Sequence, residues 1–160
     1  MRVLLTGGRA PGTLDLLRCI SRGGAKVFLA ESLSYSVSAL SRYVIRTHRV
    51  PPPRQQPQLY AYAILDIVRK EGITLVIPTC EEIFTLVAYE ELLRPHVEIF
   101  SPTHSTLLRL HSKWSFQKWM AEIGHQIPYT ERITDVEELK HHVQEKGTDF
   151  VYKPEWSRFG

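Results

Sequence analysis

The residue best suited to chemistry is Lys153, which follows the apolar run Phe150-Val151-Tyr152. Gly147 and Pro154 bound that run, a pattern that predicts a short buried strand ending at the lysine. A lysine placed where an apolar strand meets a loop is costly to bury unless its ammonium group has an anionic partner, and a phosphate is such a partner. Residues 155–160 are predicted to begin a flexible loop that covers the phosphate.

A second group of candidate residues lies in the loop after the first apolar run, residues 3–6. This loop contains three glycines, Gly7, Gly8 and Gly12. Together with Glu31, about twenty residues further on, they are similar to a dinucleotide-binding site. The G-x-G-x-x-G spacing is not met, however, and Pro11 stands where close phosphate approach needs a slim backbone that donates hydrogen bonds. A Rossmann module that binds NAD(P) or FAD therefore stays an alternative.

Strands and helices are predicted to alternate over the first hundred residues. Strands are predicted at 3–6, 26–30, 43–45, 73–77 and 97–100, with helices at 13–21 and 58–70 and a third that follows Thr79 and ends at about Leu93. Strands connected through helices run parallel, so the predicted fold class is α/β with a mainly parallel, Rossmann-like sheet. The buried stripe of the second helix is predicted to be Leu59, Ala63, Ile64, Ile67 and Val68.

The carboxyl ends of parallel strands meet at one edge of the sheet, where open α/β sheets bind ligands. The glycine loop, Glu31 and the segment from Thr79 to Glu82 are expected at that edge. Thr79 is also predicted to cap the third helix, with Glu82 as its capping-box partner. Glu81 and Glu82 have an alternative explanation as acids favoured by the dipole at a helix start.

The last third of the chain contains too few elements to bury a core of its own. A helix is predicted at about 112–122, with extended residues at 127–130 and 133. A second helix is predicted to end at Lys146, with Thr134 and Glu137 as a capping box and with Val136, Leu139 and Val143 facing the core. The chain is therefore expected to be the front part of a longer protein.

Four features, taken in order, resemble the front of an ATP-grasp ligase. They are the Rossmann-like opening, Ser112-Lys113 at the head of a helix, the strand ending in Tyr152-Lys153-Pro154, and the loop Ser157-Arg158-Phe159-Gly160. The resemblance covers the whole chain, and its ending is the most specific part. It implies that residues 1–105 form a preATP-grasp domain and that residues 106–160 are the incomplete start of an α+β ATP-grasp domain.

The resemblance also implies a role for particular residues. Lys113 and Lys153 would each reach phosphate oxygens of ATP. The loop over the triphosphate would begin with Glu155, Ser157, Arg158, Phe159 and Gly160. The residues expected to contribute to substrate binding at the sheet edge are Gly8, Gly12, Glu31, Thr79 and Glu81.

The chemistry implied by the resemblance is transfer of the ATP γ-phosphoryl group to a small-molecule carboxylate, which gives an acyl phosphate that an amine or a similar nucleophile attacks. Such transfer needs a divalent metal, Mg²⁺, to bridge phosphates. The family's acidic metal ligands lie in the later half of its fold, so no metal ligand is assigned here. The chain alone is expected to be inactive.

Composition restricts the other functional classes. A net charge of +3 is too small to indicate nucleic-acid binding, and an Arg-rich segment at 42–54 is interleaved with prolines, which favours a solvated connection. Cys19 and Cys80 are far apart, which fits a reducing, cytoplasmic setting. No apolar run approaches the length of about 20 residues that crosses a bilayer. A flavodoxin-like, non-catalytic interaction domain is the remaining alternative.

Overall fold

Five parallel strands form the sheet that organises the first part of the chain in the computed structural model, which describes residues 1–147 and 149–157. The strands are β1 (Arg2–Thr6), β2 (Lys26–Glu31), β3 (Val44–Arg49), β4 (Leu75–Ile77) and β5 (Glu98–Ile99). Their order across the sheet is β3-β2-β1-β4-β5, and each neighbouring pair is parallel. The predicted α/β fold with a mainly parallel sheet is confirmed.

The helices divide between two compact units, Met1–His104 and Ser105–Gly160. The helices are α1 (Pro11–Arg22), α2 (Pro57–Glu71), α3 (Glu82–Ala88), α4 (Glu90–Leu93), α5 (His104–His111), α6 (Lys113–Glu122) and α7 (Val136–Lys146). Within the described ranges, no helix combines the length and the apolar character that crossing a membrane requires.

The core of the first unit lies on both faces of the sheet. Successive residues of a central strand point to opposite faces, and here the residues on both faces are apolar. Val3 and Leu5 of β1 belong to the same cluster as Leu17 of α1. Leu4, between them, points to the other face and belongs to the cluster that contains Ile64 of α2. The two helices therefore pack on opposite faces of the sheet. The carboxyl ends of β1, β2 and β4 lie at one edge because these strands are parallel.

Two details of the helices differ from the prediction. Leu59 was expected in the buried stripe of α2, but its side chain is 58% exposed and Tyr60 is buried instead. The buried face follows Tyr60, Ile64 and Val68 at i, i+4 and i+8, which places Leu59 on the rim. The single helix predicted from the Thr79 cap to about Leu93 is two helices, because the backbone departs from helical geometry at Tyr89 (φ −110°, ψ 24°).

The Arg-rich segment is not only a solvated connection, because part of it forms β3. Glu71, at the end of α2, is 9% exposed and lies 2.9 Å from Arg46 Nη1 and 3.1 Å from His48 Nε2. Arg2 Nη2 of β1 lies 3.5 Å from the same carboxylate. Burial lowers the pKa of His48, and the Glu71 carboxylate partly offsets this. One buried acid therefore ties two strands to α2.

The second unit has very little buried interior in the part of it that the structure describes. Ser112 is the only buried residue among 105–147 and 149–157. Val136, Leu139 and Val143 were predicted to face a core, but their side chains are 65%, 36% and 44% exposed. The helix cap is also displaced: Asp135, not Thr134, caps α7 by accepting from Glu138 N.

The strand predicted at 150–152 is absent, and Val151 is 80% exposed. A strand forms where a neighbouring strand supplies ladder hydrogen bonds, and no strand occurs among the described residues of the second unit. The prediction that Lys153 ends a buried strand is therefore wrong. Another arrangement holds this lysine.

Candidate functional site

The start of α6 has a buried, hydrogen-bonded helix cap. Ser112 is 1% exposed, and its hydroxyl oxygen accepts a hydrogen bond of 3.0 Å from Ser115 N, as a helix N-cap does. Lys113, the first residue of the helix, therefore has a fixed backbone. The predicted placement of Ser112-Lys113 at a helix head is confirmed.

The ammonium group of Lys113 is held by the segment that follows Lys153. Its Nζ donates to the carbonyl oxygens of Pro154 at 2.9 Å and Ser157 at 2.8 Å, and it lies 2.9 Å from Ser157 Oγ. The backbone N–H of Lys113 also donates to Glu155 O at 3.3 Å. Segment 154–157 therefore lies directly against the head of α6.

Glu155 fixes this segment through both oxygens of its carboxylate. Its Oε1 accepts a hydrogen bond of 2.6 Å from Ser112 Oγ. Its Oε2 lies 3.1 Å from Arg132 Nη2, with the two side chains 21% and 53% exposed for Glu155 and Arg132. Sequence reasoning did not identify Arg132, because it lies in a segment without periodicity or a motif. Only the folded chain brings it to Glu155.

Lys113 and Lys153 line the same cavity, which has a volume of about 460 Å³. Phe116, Gln117 and Met120 of α6 form another part of its wall, and residues 125–128 complete it. The cavity thus combines two lysines with apolar side chains. Such a combination suits a ligand that has an anionic part and an apolar part.

A cluster around His142 of α7 holds the segment that carries Lys153. His142 Nδ1 lies 3.0 Å from Tyr152 Oη, and His142 Nε2 lies 2.6 Å from Glu131 Oε2. Lys146 donates to the same carboxylate at 3.0 Å. Hydrogen bonds from Tyr129, Lys146 and His142 lower the pKa of Glu131 to about 2. This polar and aromatic cluster, rather than a strand, positions residues next to Lys153.

In the first unit, Glu31 is 3% exposed and its carboxylate is satisfied by the chain itself. Its Oε2 accepts from Arg9 N at 3.1 Å, and its Oε1 accepts from Ser32 N at 2.8 Å and Leu33 N at 3.1 Å. Arg9 Nη1 lies 3.6 Å from Oε1. Glu31 therefore fastens the loop after β1 to the end of β2.

The buried acid at the start of α3 is Glu82, at 4% exposure, whereas Glu81 is exposed. Glu82 Oε1 accepts from Thr6 Oγ1 at 2.6 Å, from Cys80 N at 3.1 Å and from Thr79 N at 3.3 Å. The predicted N-cap is wrong, because the Thr79 hydroxyl donates instead to Thr6 O at 2.6 Å. Only one of the two hydrogen bonds of the capping box is present, the one in which Thr79 N donates to the Glu82 carboxylate.

The three glycines of the first loop differ in how much space a side chain would have at each position. Gly7 has φ +69°, and a Cβ there would lie 2.7 Å from Glu82 Oε1. A Cβ on Gly8 would lie 2.8 Å from Leu29 Cδ2, so this position is closed by packing. A Cβ on Gly12 would meet nothing within 4 Å, so that position borders open space. Gly7 is thus required by the fold itself, whereas a side chain at Gly8 would require the Leu29 side chain to shift.

Three of the residues predicted to begin the loop over ATP, Arg158, Phe159 and Gly160, lie outside the described residues. Among the residues that are described, no group of three or more His, Cys, Asp or Glu side chains is arranged to hold a metal ion. The geometry therefore provides two separate features: the cavity with Lys113 and Lys153 in the second unit, and the hydrogen-bonded sheet edge in the first.

Comparison with solved structures shows the fold to which this geometry belongs. The N5-carboxyaminoimidazole synthetase of Staphylococcus aureus, complexed with ADP, has a TM-score of 0.70 at 11% identity, covering 98% of this chain and 39% of that one. The L-amino acid ligase of Bacillus licheniformis has a TM-score of 0.64 at 12% identity, covering 90% and 41%. The biotin carboxylase domain of the Hydrogenobacter thermophilus 2-oxoglutarate carboxylase, with MgADP, ADP and bicarbonate, has a TM-score of 0.61 at 16% identity, covering 89% and 32%.

These three proteins are ATP-grasp enzymes, and the chain matches the N-terminal portion of such proteins. The predicted resemblance to the front of an ATP-grasp ligase is therefore confirmed for the fold. The chain spans between about a third and two fifths of the length of these neighbours. No protein-family model matches the chain, and no curated protein sequence matches it.

Proposed function

We propose that the chain is the N-terminal part of an ATP-dependent ligase that activates a carboxylate as an acyl phosphate for attack by an amine or a similar nucleophile. The observation that carries the proposal is the cavity lined by both Lys113 and Lys153. Two ammonium groups at one cavity favour a ligand with several negative charges close together, and a polyphosphate has that charge distribution. The fold of the solved neighbours supports the same assignment.

The proposed role of the two lysines is to bind phosphate oxygens of ATP and to stabilise the charge that shifts as the γ-phosphoryl group is transferred. Positioned cations act where charge develops, and phosphoryl transfer depends mainly on such positioning and electrostatics. The segment beginning at Glu155 and Ser157 would close over the triphosphate and exclude water that would otherwise hydrolyse the acyl phosphate.

Phosphoryl transfer of this kind is expected to use Mg²⁺, which neutralises and bridges phosphates when it is bound with the nucleotide. The described residues do not fit a metal site, because no cluster of three suitable side chains is present among them. No step is therefore assigned to a metal held by this chain. Ligands for the ion are expected in the part of the ATP-grasp fold that the chain does not span.

The sheet edge of the first unit is proposed to contribute to binding of the carboxylate or amine substrate. Glu31 and Thr79 are engaged in hydrogen bonds that shape the edge, so their proposed contribution is to hold the loops in place. Gly12 borders open space and Glu81 is exposed, so these two positions are the better candidates for contact with a substrate.

A dinucleotide cofactor at the first loop is less well supported by the geometry. The Glu82 carboxylate lies directly beneath Gly7, where a dinucleotide site would bring its pyrophosphate close to the backbone. A buried carboxylate at that position repels the phosphate charge. No contact among the described residues specifically favours a flavodoxin-like interaction domain.

The proposal is tested by the binding of MgATP to the 160-residue chain and to Lys113→Ala and Lys153→Ala, measured by isothermal titration calorimetry. Each substitution is expected to weaken binding by about 10-fold or more, because a hydrogen bond to a charged group contributes about 1.5 to 3 kcal/mol. Lys118→Ala is the matched control, since Lys118 lies on the same helix above the Trp114 ring and is not part of the cavity wall. Equal affinity of all four proteins would contradict the proposal.

A further inference from the structure

The three donor hydrogens of the Lys113 ammonium group have three acceptors, and all of them belong to segment 154–157. The acceptors are Pro154 O, Ser157 O and Ser157 Oγ, at 2.8 to 2.9 Å. An ammonium group has three donors and no acceptor. A phosphate oxygen can therefore bind Lys113 only after it displaces at least one of these protein oxygens.

The segment that occupies Lys113 is itself held by a partly buried charge pair. Glu155 is 21% exposed, accepts from the buried Ser112 hydroxyl at 2.6 Å and lies 3.1 Å from Arg132. Trp156, between Glu155 and Ser157, packs its ring against His111 at a centroid distance of 5.7 Å. The contacts of Glu155 and Trp156 fix the backbone between the two residues that supply the Lys113 acceptors.

We propose that Arg132 and Glu155 are positioning residues that latch segment 154–157 onto the start of α6, so that Lys113 is satisfied by the protein's own oxygens until a polyphosphate replaces them. The inference rests on the proposed function, because the polyphosphate bound in that function is the ligand that competes with segment 154–157 for Lys113. The apparent affinity for that ligand equals the intrinsic affinity multiplied by the fraction of molecules in which the latch is open. Loosening the latch therefore strengthens polyphosphate binding.

The sign of this effect separates a latch from a simple electrostatic contribution. If Arg132 acted only through its positive charge, Arg132→Gln would weaken the binding of an anion. If Arg132 maintains the latch, the same substitution strengthens binding. Ser157→Ala adds a test without any change of charge, because it removes one acceptor from Lys113 and leaves the backbone carbonyl.

The first experiment needs no polyphosphate. Acylation of lysines in the 160-residue chain by acetic anhydride is followed by mass spectrometry, with the exposed Lys26 as internal reference. Arg132→Gln and Glu155→Gln are each expected to raise the rate at Lys113, relative to Lys26, by about two- to five-fold, the range expected for loss of a partly exposed ion pair. An unchanged ratio in both variants overturns the latch.

The second experiment measures the affinity for inorganic tripolyphosphate by calorimetry. Arg132→Gln and Ser157→Ala are expected to bind about two- to five-fold more tightly than the unsubstituted chain. The control is Arg109→Gln, which removes a guanidinium group that lies 5.5 Å from the Trp119 ring centroid, and it is expected to change neither readout.

Weaker or equal binding by both Arg132→Gln and Ser157→Ala overturns the latch even if the unsubstituted chain binds tripolyphosphate well. If the unsubstituted chain binds neither MgATP nor tripolyphosphate, the proposed function fails. The acylation ratio still decides in that case whether Arg132 and Glu155 hold the segment on Lys113.

Discussion

Ser112 caps the start of α6, and its hydroxyl donates to Glu155 of the segment that holds Lys113. Ser112-Lys113 lies at a helix head because a serine followed by an amphipathic run is a local signal, and the structure has this cap. Arg132 was missed because its partner, Glu155, is distant in sequence. At the sheet edge, Glu81 was chosen as a substrate-binding candidate and stays a prediction, and the structure adds that Glu81 is exposed whereas Glu82 is buried. The sequence alone does not show which of two adjacent glutamates points into the protein and which points to solvent.

Gly7→Ala and Gly12→Ala are a matched pair of substitutions in the same loop-helix segment. Gly7→Ala is expected to lower the free energy of unfolding by about 2 to 5 kcal/mol, because alanine at positive φ is strained and its Cβ meets a buried carboxylate. Gly12→Ala, at the second position of α1 with open space around it, is expected to change stability by less than about 1 kcal/mol, in the stabilising direction. Urea unfolding measures both values, and equal values for the two variants would contradict the assigned role of Gly7.

Whole elements were predicted well in the first unit, and in the second unit the two predicted helices are present but the predicted strand is not. Strands β1 and β2 are apolar runs bounded by turn residues, and α1 and α2 have clear start and stop signals, so their existence follows from sequence. The predicted strand at 150–152 failed because strand formation depends on a partner, which a local pattern does not reveal. The aromatic residues of this segment instead pack against α7, as in the pair His142 and Phe150, whose ring centroids are 5.3 Å apart.

The cluster around Glu131 is expected to depend on pH. The pKa of Glu131 is lowered to about 2, from an ordinary value of 4.5, by hydrogen bonds from Tyr129, Lys146 and His142. A lowered pKa means that the contribution to stability is fully present above pH 4.5 and is lost as the pH falls towards 2. Titration of the Glu131 carboxyl carbon by NMR is expected to give a midpoint near 2, and a midpoint near 4.5 would show that these hydrogen bonds are not formed in solution.

A charge-neutral substitution tests the same cluster at constant pH. Glu131→Gln removes the charge that pairs with His142 and Lys146, so the ring contacts of residues 150–152 with α7 are expected to weaken. The expected result is faster amide hydrogen exchange at 150–153 and unchanged exchange in β1. Glu137→Gln, which loses only an exposed pair with Lys140 of α7, is the control and is expected to leave 150–153 unaffected.

At the scale of the molecule, the two units differ in how much apolar surface they bury. The first unit has apolar clusters on both faces of its sheet, whereas Ser112 is the only buried residue among the described residues of the second. Fold class was readable from sequence because alternating strands and helices restrict the topology strongly. The lack of a buried interior in the second unit was not readable from sequence. An amphipathic helix such as α7 has an apolar face in its sequence whether or not another element covers that face.

Amide hydrogen exchange of the whole chain is expected to separate the two units. Protection is expected to be highest in β1, β2 and β4, because the central strands are covered on both faces, and lower in α6 and α7, because few side chains are buried there. The measurement is exchange followed by proteolysis and mass spectrometry at neutral pH. Equal protection in β1 and α7 would contradict this difference in burial between the units.

The carboxylate of Glu155 has a consequence for selectivity against stray polyanions. Lys113 and Arg132, left without an internal acid, would present a concentrated positive field that attracts nucleic-acid backbones and other abundant anions without discrimination. Because Glu155 lies 3.1 Å from Arg132 and accepts from the serine that precedes Lys113, much of that field is neutralised at rest. A ligand that binds Lys113 must then offer enough charge, in the right geometry, to displace the oxygens of a segment that this carboxylate holds in place.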